Sequence, residues 1–204
     1  MIRFNRFVTV DEQILTKLEK YPIADRPKRW DGKAAAVTTF KKRILDEGLK
    51  IQEGKCAWCM LPVAARGRRT AHRDHIAPKA KHPKWTFLPV NLVIACEYCN
   101  GFAVKGDIDT IETIAENYTD CVFHVVHPYL EDPSLHLSFL SEANGTGIVI
   151  KSLSTKGTWT IISLQLDTPG ATTERAKEYL FQQRLNSLSV PDGDLLRKAV
   201  NGLG

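Results

Sequence analysis

At 204 residues and 43% hydrophobic content, the chain is long enough for one or two small domains with a real core. The net charge of +5 is mild overall. No stretch approaches the roughly 20 apolar residues of a membrane span. The opening MIRFNRFVTVDEQ has charges throughout and no apolar signal core, so the expectation is a cytoplasmic protein without membrane association.

Residues 1–10 read as a short β-prone lead carrying Phe4, Phe7, Val8 and Val10. Asp11 is placed to cap a helix with Ile14, Leu15 and Leu18 on one face, ended by Tyr21-Pro22. Residues 22–30 read as a Pro/Arg-rich connector. A second helix follows Asp31-Gly32, with Val37, Phe40, Ile44 and Leu45 as its apolar stripe. Lys41, Lys42 and Arg43 around that stripe read as a solvated face. Residues 1–54 thus form an N-terminal helical region.

Residues 55–110 hold the chemistry. Cys56 and Cys59 form one CxxC pair, and Cys96 and Cys99 form another. Two such turns can aim four thiolates at one tetrahedral Zn²⁺, and a chain without a secretory signal keeps its thiols reduced. The fifth cysteine, Cys121, reads as a small buried hydrophobe. Between the pairs lies Asp74-His75, followed by Asn91 and Asn100. Histidine is the side chain whose ordinary pKa suits a general base near neutrality, and Asp and Asn are hard oxygen ligands suited to Mg²⁺ or Mn²⁺. His72 and His82 are neighbouring rivals for the base role. From Lys55 to Lys84 there are eight cations against the single acid Asp74. Arg66, Arg68, Arg69, Arg73, Lys79, Lys81 and Lys84 of that block, with Lys105 beyond it, suit a nucleic-acid backbone; the alternative is a solvated loop. Strands are expected at Arg73 to Ile76 and at Asn91 to Ala95, joined by a Pro-rich loop over 77–90 in which Trp85 and Phe87 pack. A helix is expected to carry Asn100 near its start.

Residues 111–204 read as a small C-terminal α/β region. Ile108 to Asn117 has helical spacing, and the run VFHVVHPYLEDP, with His124 and His127, reads as extended and structural. Leu135, Leu137 and Phe139 alternate like a strand, with Ile148 to Ile150 as hairpin partner after a Gly145/Gly147 turn. Thr158 to Leu166 is ambiguous between strand and short helix. A last helix spans Thr173 to Leu188, with Ala176, Leu180, Leu185 and Leu188 on one side.

DHIAPKA, NLVIACEYCN and the following Lys105-Gly106 resemble the HNH motif of the ββα-metal endonucleases. That resemblance implies an α+β fold with a ββα-metal HNH core around the four-cysteine zinc site. It implies that His75 activates a water, that Asp74 and Asn100 hold one divalent ion, and that Asn91 positions the histidine. The family's usual CNxxKG reads CNGFAVKG here, so Lys105 sits two residues late. DPSLHLSF, GIVI and TIISLQLD further resemble the HNH nuclease subunit of Septu-type and retron-associated anti-phage systems. This implies a DNA target and an SMC-like ATPase partner from a defence operon, with the C-terminal region as a docking surface. The competing readings are a zinc-stabilised nucleic-acid-binding or adaptor subunit with a silent HNH site, and a stand-alone restriction-type nuclease.

Overall fold

The computed structural model describes residues 3–66, 69–140 and 148–201. Asp11 accepts from the Gln13 amide and starts α1 (Glu12–Glu19), whose Leu18 is buried. The Pro/Arg-rich stretch is no connector: it makes a 3-10 turn, Ile23–Asp25, and a short helix, α2 (Arg26–Trp30). Pro27 sits in the first turn of α2, where a missing amide costs nothing, and Trp30 at its end is buried. In α3 (Ala35–Ile51), Val37, Phe40 and Ile44 are buried as their spacing predicts. Gly48 extends that face. A Cβ there would stand 2.7 Å from Ile94 Cγ1, so glycine is what lets α3 lie on the strand behind it.

That strand belongs to the central hairpin. β1 (Ala71–His75) and β2 (Leu92–Cys96) pair antiparallel, with Asp74 opposite Val93 and His75 opposite Leu92. Gln52 covers part of the outer edge of β2: its amide donates to Ile94 O at 2.7 Å and accepts from the Ile94 amide at 2.7 Å. This satisfies backbone groups that an edge strand would leave open. In the loop between the strands, Trp85 and Phe87 are buried, so both rings pack as expected.

After β2 the chain departs from the sequence reading. No helix carries Asn100; residues 97–107 run as successive turns, with Gly106 at a φ of 47°. The helical spacing of Ile108 to Asn117 is also overridden. β3 (Ile111–Thr113), rich in β-branched residues, pairs with β4 (Val122–Phe123) instead. The N-terminal lead makes no strand: it is an extended segment whose Phe4 amide donates to Pro128 O at 2.9 Å.

β5 (Leu137–Leu140) and β6 (Val149–Ser152) form the expected hairpin, while its Gly145/Gly147 turn lies outside the described residues. The ambiguous segment is helical, as α4 (Thr155–Ser163), capped by Ser154. α5 (Pro169–Ser187) begins at Pro169 rather than Thr173, and its buried residues are Arg175 and Leu185. Leu180, assigned to the apolar side, is 64% exposed. Arg175 turns inward because Ile148 O and Leu166 O accept its guanidinium hydrogens, each at 2.7 Å. α6 (Val190–Asn201) was not anticipated. The fold is therefore α+β, with helices at both ends and three small antiparallel hairpins between them. One apolar core joins Leu18, Trp58, Ile94, Val126 and Leu164, so all three predicted regions contribute to it. Among the described residues no helix is long and apolar enough to cross a membrane.

Candidate active site and metal centre

The four cysteines come together. Cys56, Cys59, Cys96 and Cys99 are buried, with every Sγ within 4.8 Å of the others. Cys59 Sγ and Cys96 Sγ stand 3.9 Å apart. A tetrahedral zinc with bonds of about 2.3 Å separates its sulfurs by roughly 3.8 Å, so the cluster fits that ion. The Cys96 and Cys99 amides donate to Cys56 Sγ at 3.3 Å and to Cys96 Sγ at 3.4 Å, which stabilises negative sulfur. Burial pushes the Cys56 thiol well up, whereas hydrogen bonds from the neighbouring thiols hold Cys96 far below its ordinary value. A bound Zn²⁺ would let all four sulfurs act as thiolates. Cys121, as expected, is a separate buried thiol.

Successive residues of a strand face opposite ways, and β1 uses that alternation to part the motif. Asp74 points to the side of the cysteines. Trp58 Nε1 donates to its Oδ2 at 2.7 Å, and Lys105 Nζ donates to its Oδ1 at 2.8 Å. Lys105 also donates to His75 O at 2.6 Å. Both partners of the ion pair are closed off from water, with side chains 2% and 1% exposed. Lys105 is thus not a nucleic-acid contact: it fastens the turn segment after β2 to β1. The late lysine of the motif does structural work, and only its burial reveals it. On the same side Asn100 faces His72, with its Nδ2 3.4 Å from His72 Nδ1. Asp74 and Asn100 share no hydrogen bond.

His75 points the other way. Its Nε2 donates to Thr86 O at 2.9 Å, which leaves Nδ1 as the nitrogen with the lone pair. Trp30 lies edge-on to its ring, centroids 4.4 Å apart. Burial lowers the His75 pKa to about 3, with the charges of Lys105, Lys79 and Lys41 pushing the same way against the Thr86 hydrogen bond. The imidazole is therefore neutral at neutral pH. Trp30 went unnoticed in the sequence because it ends a stretch that read as irregular.

Asn91 is fully buried and acts through backbone. Its Oδ1 accepts from the Ala77 amide at 2.7 Å, and its Nδ2 donates to Ala77 O and Trp85 O, both at 3.1 Å. It thereby pins both ends of the loop that presents the Thr86 carbonyl to His75. The C-terminal region completes this arrangement. Tyr118 OH donates to Asn91 Oδ1 at 2.9 Å and accepts from His127 Nε2 at 2.9 Å. His127 Nδ1 in turn accepts from the Tyr129 amide at 3.3 Å, which fixes the tautomer. Burial lowers the His127 pKa to about 3. The rival His82 is engaged elsewhere, with its Nε2 2.7 Å from Asp109 Oδ1.

The basic block does not act as one surface. Arg66, Lys81 and Lys84 are exposed, and Arg68 lies outside the described residues. Arg69 is tied to Glu174 of α5 at 3.1 Å. Arg73 and Lys79 lie half-buried on the His75 side, with Arg73 Nε donating to Lys41 O at 2.6 Å and Lys79 pairing with Asp31 at 3.3 Å. Lys41 Nζ donates to Trp30 O at 3.1 Å and stands 5.3 Å from the centre of its ring. Burial and then the Arg73 charge push the Lys41 ammonium down, and Lys79 adds to them against Asp31.

No protein-family model matches the sequence, and no curated protein matches it.

Proposed function

We propose that the chain is a phosphodiester hydrolase of the HNH type that cuts DNA, with His75 as general base. The observation that carries this reading is the geometry of His75: its ring is held through Nε2 by Thr86 O, which leaves Nδ1 to take a proton. Water deprotonated at Nδ1 attacks phosphorus as the opposite bond to the 3′-oxygen breaks, and that oxygen takes a proton from solvent, leaving a 5′-phosphate and a 3′-hydroxyl. Asn91 supports the geometry through the loop it pins, and the zinc cluster holds the end of β2.

Asp74 and Asn100, the pair expected to hold Mg²⁺ or Mn²⁺, fit that ion poorly. Hard cations need accessible oxygens that keep several waters, whereas both Asp74 oxygens already accept hydrogen bonds and Asn100 faces His72. The step assigned to this chain is accordingly the proton transfer at His75. The closure of Asp74 also favours a second reading, a zinc-stabilised DNA-binding or adaptor subunit with a silent site. An ATPase partner of the anti-phage type would dock on the C-terminal region, where Leu135, Leu153, Ile162 and Leu180 are exposed.

The test is to incubate purified protein with supercoiled plasmid and Mg²⁺ or Mn²⁺, with and without any co-purifying ATPase. Nicked or linear DNA that ligase reseals is the expected product. DNA binding with no cutting under every condition selects the silent-site reading.

A further inference from the structure

We infer that Lys41, Arg73 and Lys79 form a phosphate seat beside His75 that takes a backbone phosphate of a DNA duplex. The inference deepens the proposed function by placing substrate on the His75 side of the hairpin, and it rests on that reading only for what happens to the phosphate once bound.

The three cations come from α3, β1 and the loop after β1, and the fold brings them together. Arg73 shares its strand face with His75, two residues on. Its Nε holds Lys41 O at 2.6 Å, and among the described residues it makes no ion pair, so its remaining guanidinium hydrogens are available. Lys41 is anchored on Trp30, the same ring that lies 4.4 Å from His75. One acid in contact is Asp31, whose side chain is 69% exposed and already holds Lys79. Asp46 on α3, already paired with Lys42, is also near Arg73, so the three half-buried cations face two acids, Asp46 being shared with Lys42. Like charges gathered on half-buried side chains repel, and an anion is what relieves that repulsion. Arg offers a planar fork and Lys a point charge, both suited to phosphate oxygens.

The neighbours on α3 sharpen the case. Lys42 pairs with Asp46, and Arg43 reaches Glu47 at 3.4 Å, both one turn along. Those two are the solvated face that the sequence suggested. Lys41 is not: it points to the hairpin, where Trp30 O accepts from it and its charged neighbours are Arg73, Lys79 and Asp31.

The experiment is fluorescence anisotropy of a labelled DNA duplex, without added divalent ion, across a range of salt concentrations. Each lost phosphate contact should flatten the slope of log affinity against log salt by about 0.9. Lys41→Gln should lose about one contact and bind several-fold more weakly at low salt. Lys41→Arg should keep the wild-type slope, and so should Lys42→Gln. Arg73→Gln gives the same loss and stands in should Lys41→Gln fail to fold. A wild-type slope in both Lys41→Gln and Arg73→Gln, or wild-type protein that does not bind the duplex, overturns the seat. Binding that depends on Lys41 in a protein that never cuts plasmid keeps the seat and removes the nuclease reading.

Discussion

The two faces of β1 carry adjacent residues of one motif into different surroundings. On the side of the cysteines, Asp74 is closed in by Trp58 and Lys105, and its charge is spent on holding the turn segment to the strand. On the other side, His75 has Nε2 anchored on Thr86 O, with Lys41 and the Asp31-paired Lys79 among the charges near it. One face is closed by a buried ion pair, and the other gathers half-buried cations beside a histidine. Adjacency in sequence does not mean a shared site, because strand alternation separates neighbours by the thickness of the sheet.

The largest expected effect lies on the stable face. Cys96→Ser should abolish zinc binding, a contribution on the order of 10 kcal/mol in small zinc sites. Wild-type protein should carry about one Zn²⁺ per chain by metal analysis, and the variant should lose cooperative thermal unfolding. A zinc-free Cys96→Ser protein that melts cooperatively would show that the hairpin does not need the metal.

Next comes the buried ion pair. Lys105→Met leaves Asp74 charged and unpaired, which should cost about 3–5 kcal/mol in urea unfolding. The double variant Asp74→Asn, Lys105→Met should recover much of it. If Lys105→Met alone unfolds like wild type, that face is not closed by this pair.

Acid sensitivity follows from the two buried histidines, His75 and His127, each lowered to about 3 by burial. An unfolded histidine takes up its proton near pH 6.5, while the folded one stays neutral until far lower. Stability is therefore full above pH 6.5 and falls as pH drops toward 3, by about 1.4 kcal/mol per pH unit for each histidine. In urea titrations from pH 6 to 4, His127→Gln should flatten that fall by one histidine's share. An unchanged slope would mean that His127 already carries its proton in the fold. The smallest effect belongs to Tyr118→Phe, which removes the hydroxyl between Asn91 and His127 and should cost about 1–2 kcal/mol of unfolding free energy.

Much of this was legible in the sequence, and what was not had physical causes. Paired cysteines at fixed spacing announce one metal cluster, because few other arrangements satisfy four thiolates. The stripe of Val37, Phe40 and Ile44 marked its helix, since burial imposes the period. The helix expected over Ile108 to Asn117 does not form because Ile111 and Thr113 found a partner in Val122 and Phe123, and pairing outweighed weak periodicity. Lys105 read as a surface cation, as lysine usually is, since nothing local shows that Asp74 awaits it. Trp30, Lys41 and Tyr118 meet the motif only in three dimensions, so no spacing rule could find them.

The most direct test of the division between faces is plasmid cleavage by His75→Ala and His72→Ala under matched metal. His75→Ala should keep its zinc and its duplex affinity while the rate falls by about 10²–10⁴, and His72→Ala should stay close to wild type. Cleavage abolished in His72→Ala and retained in His75→Ala would place the reacting group on the cysteine side and contradict the account.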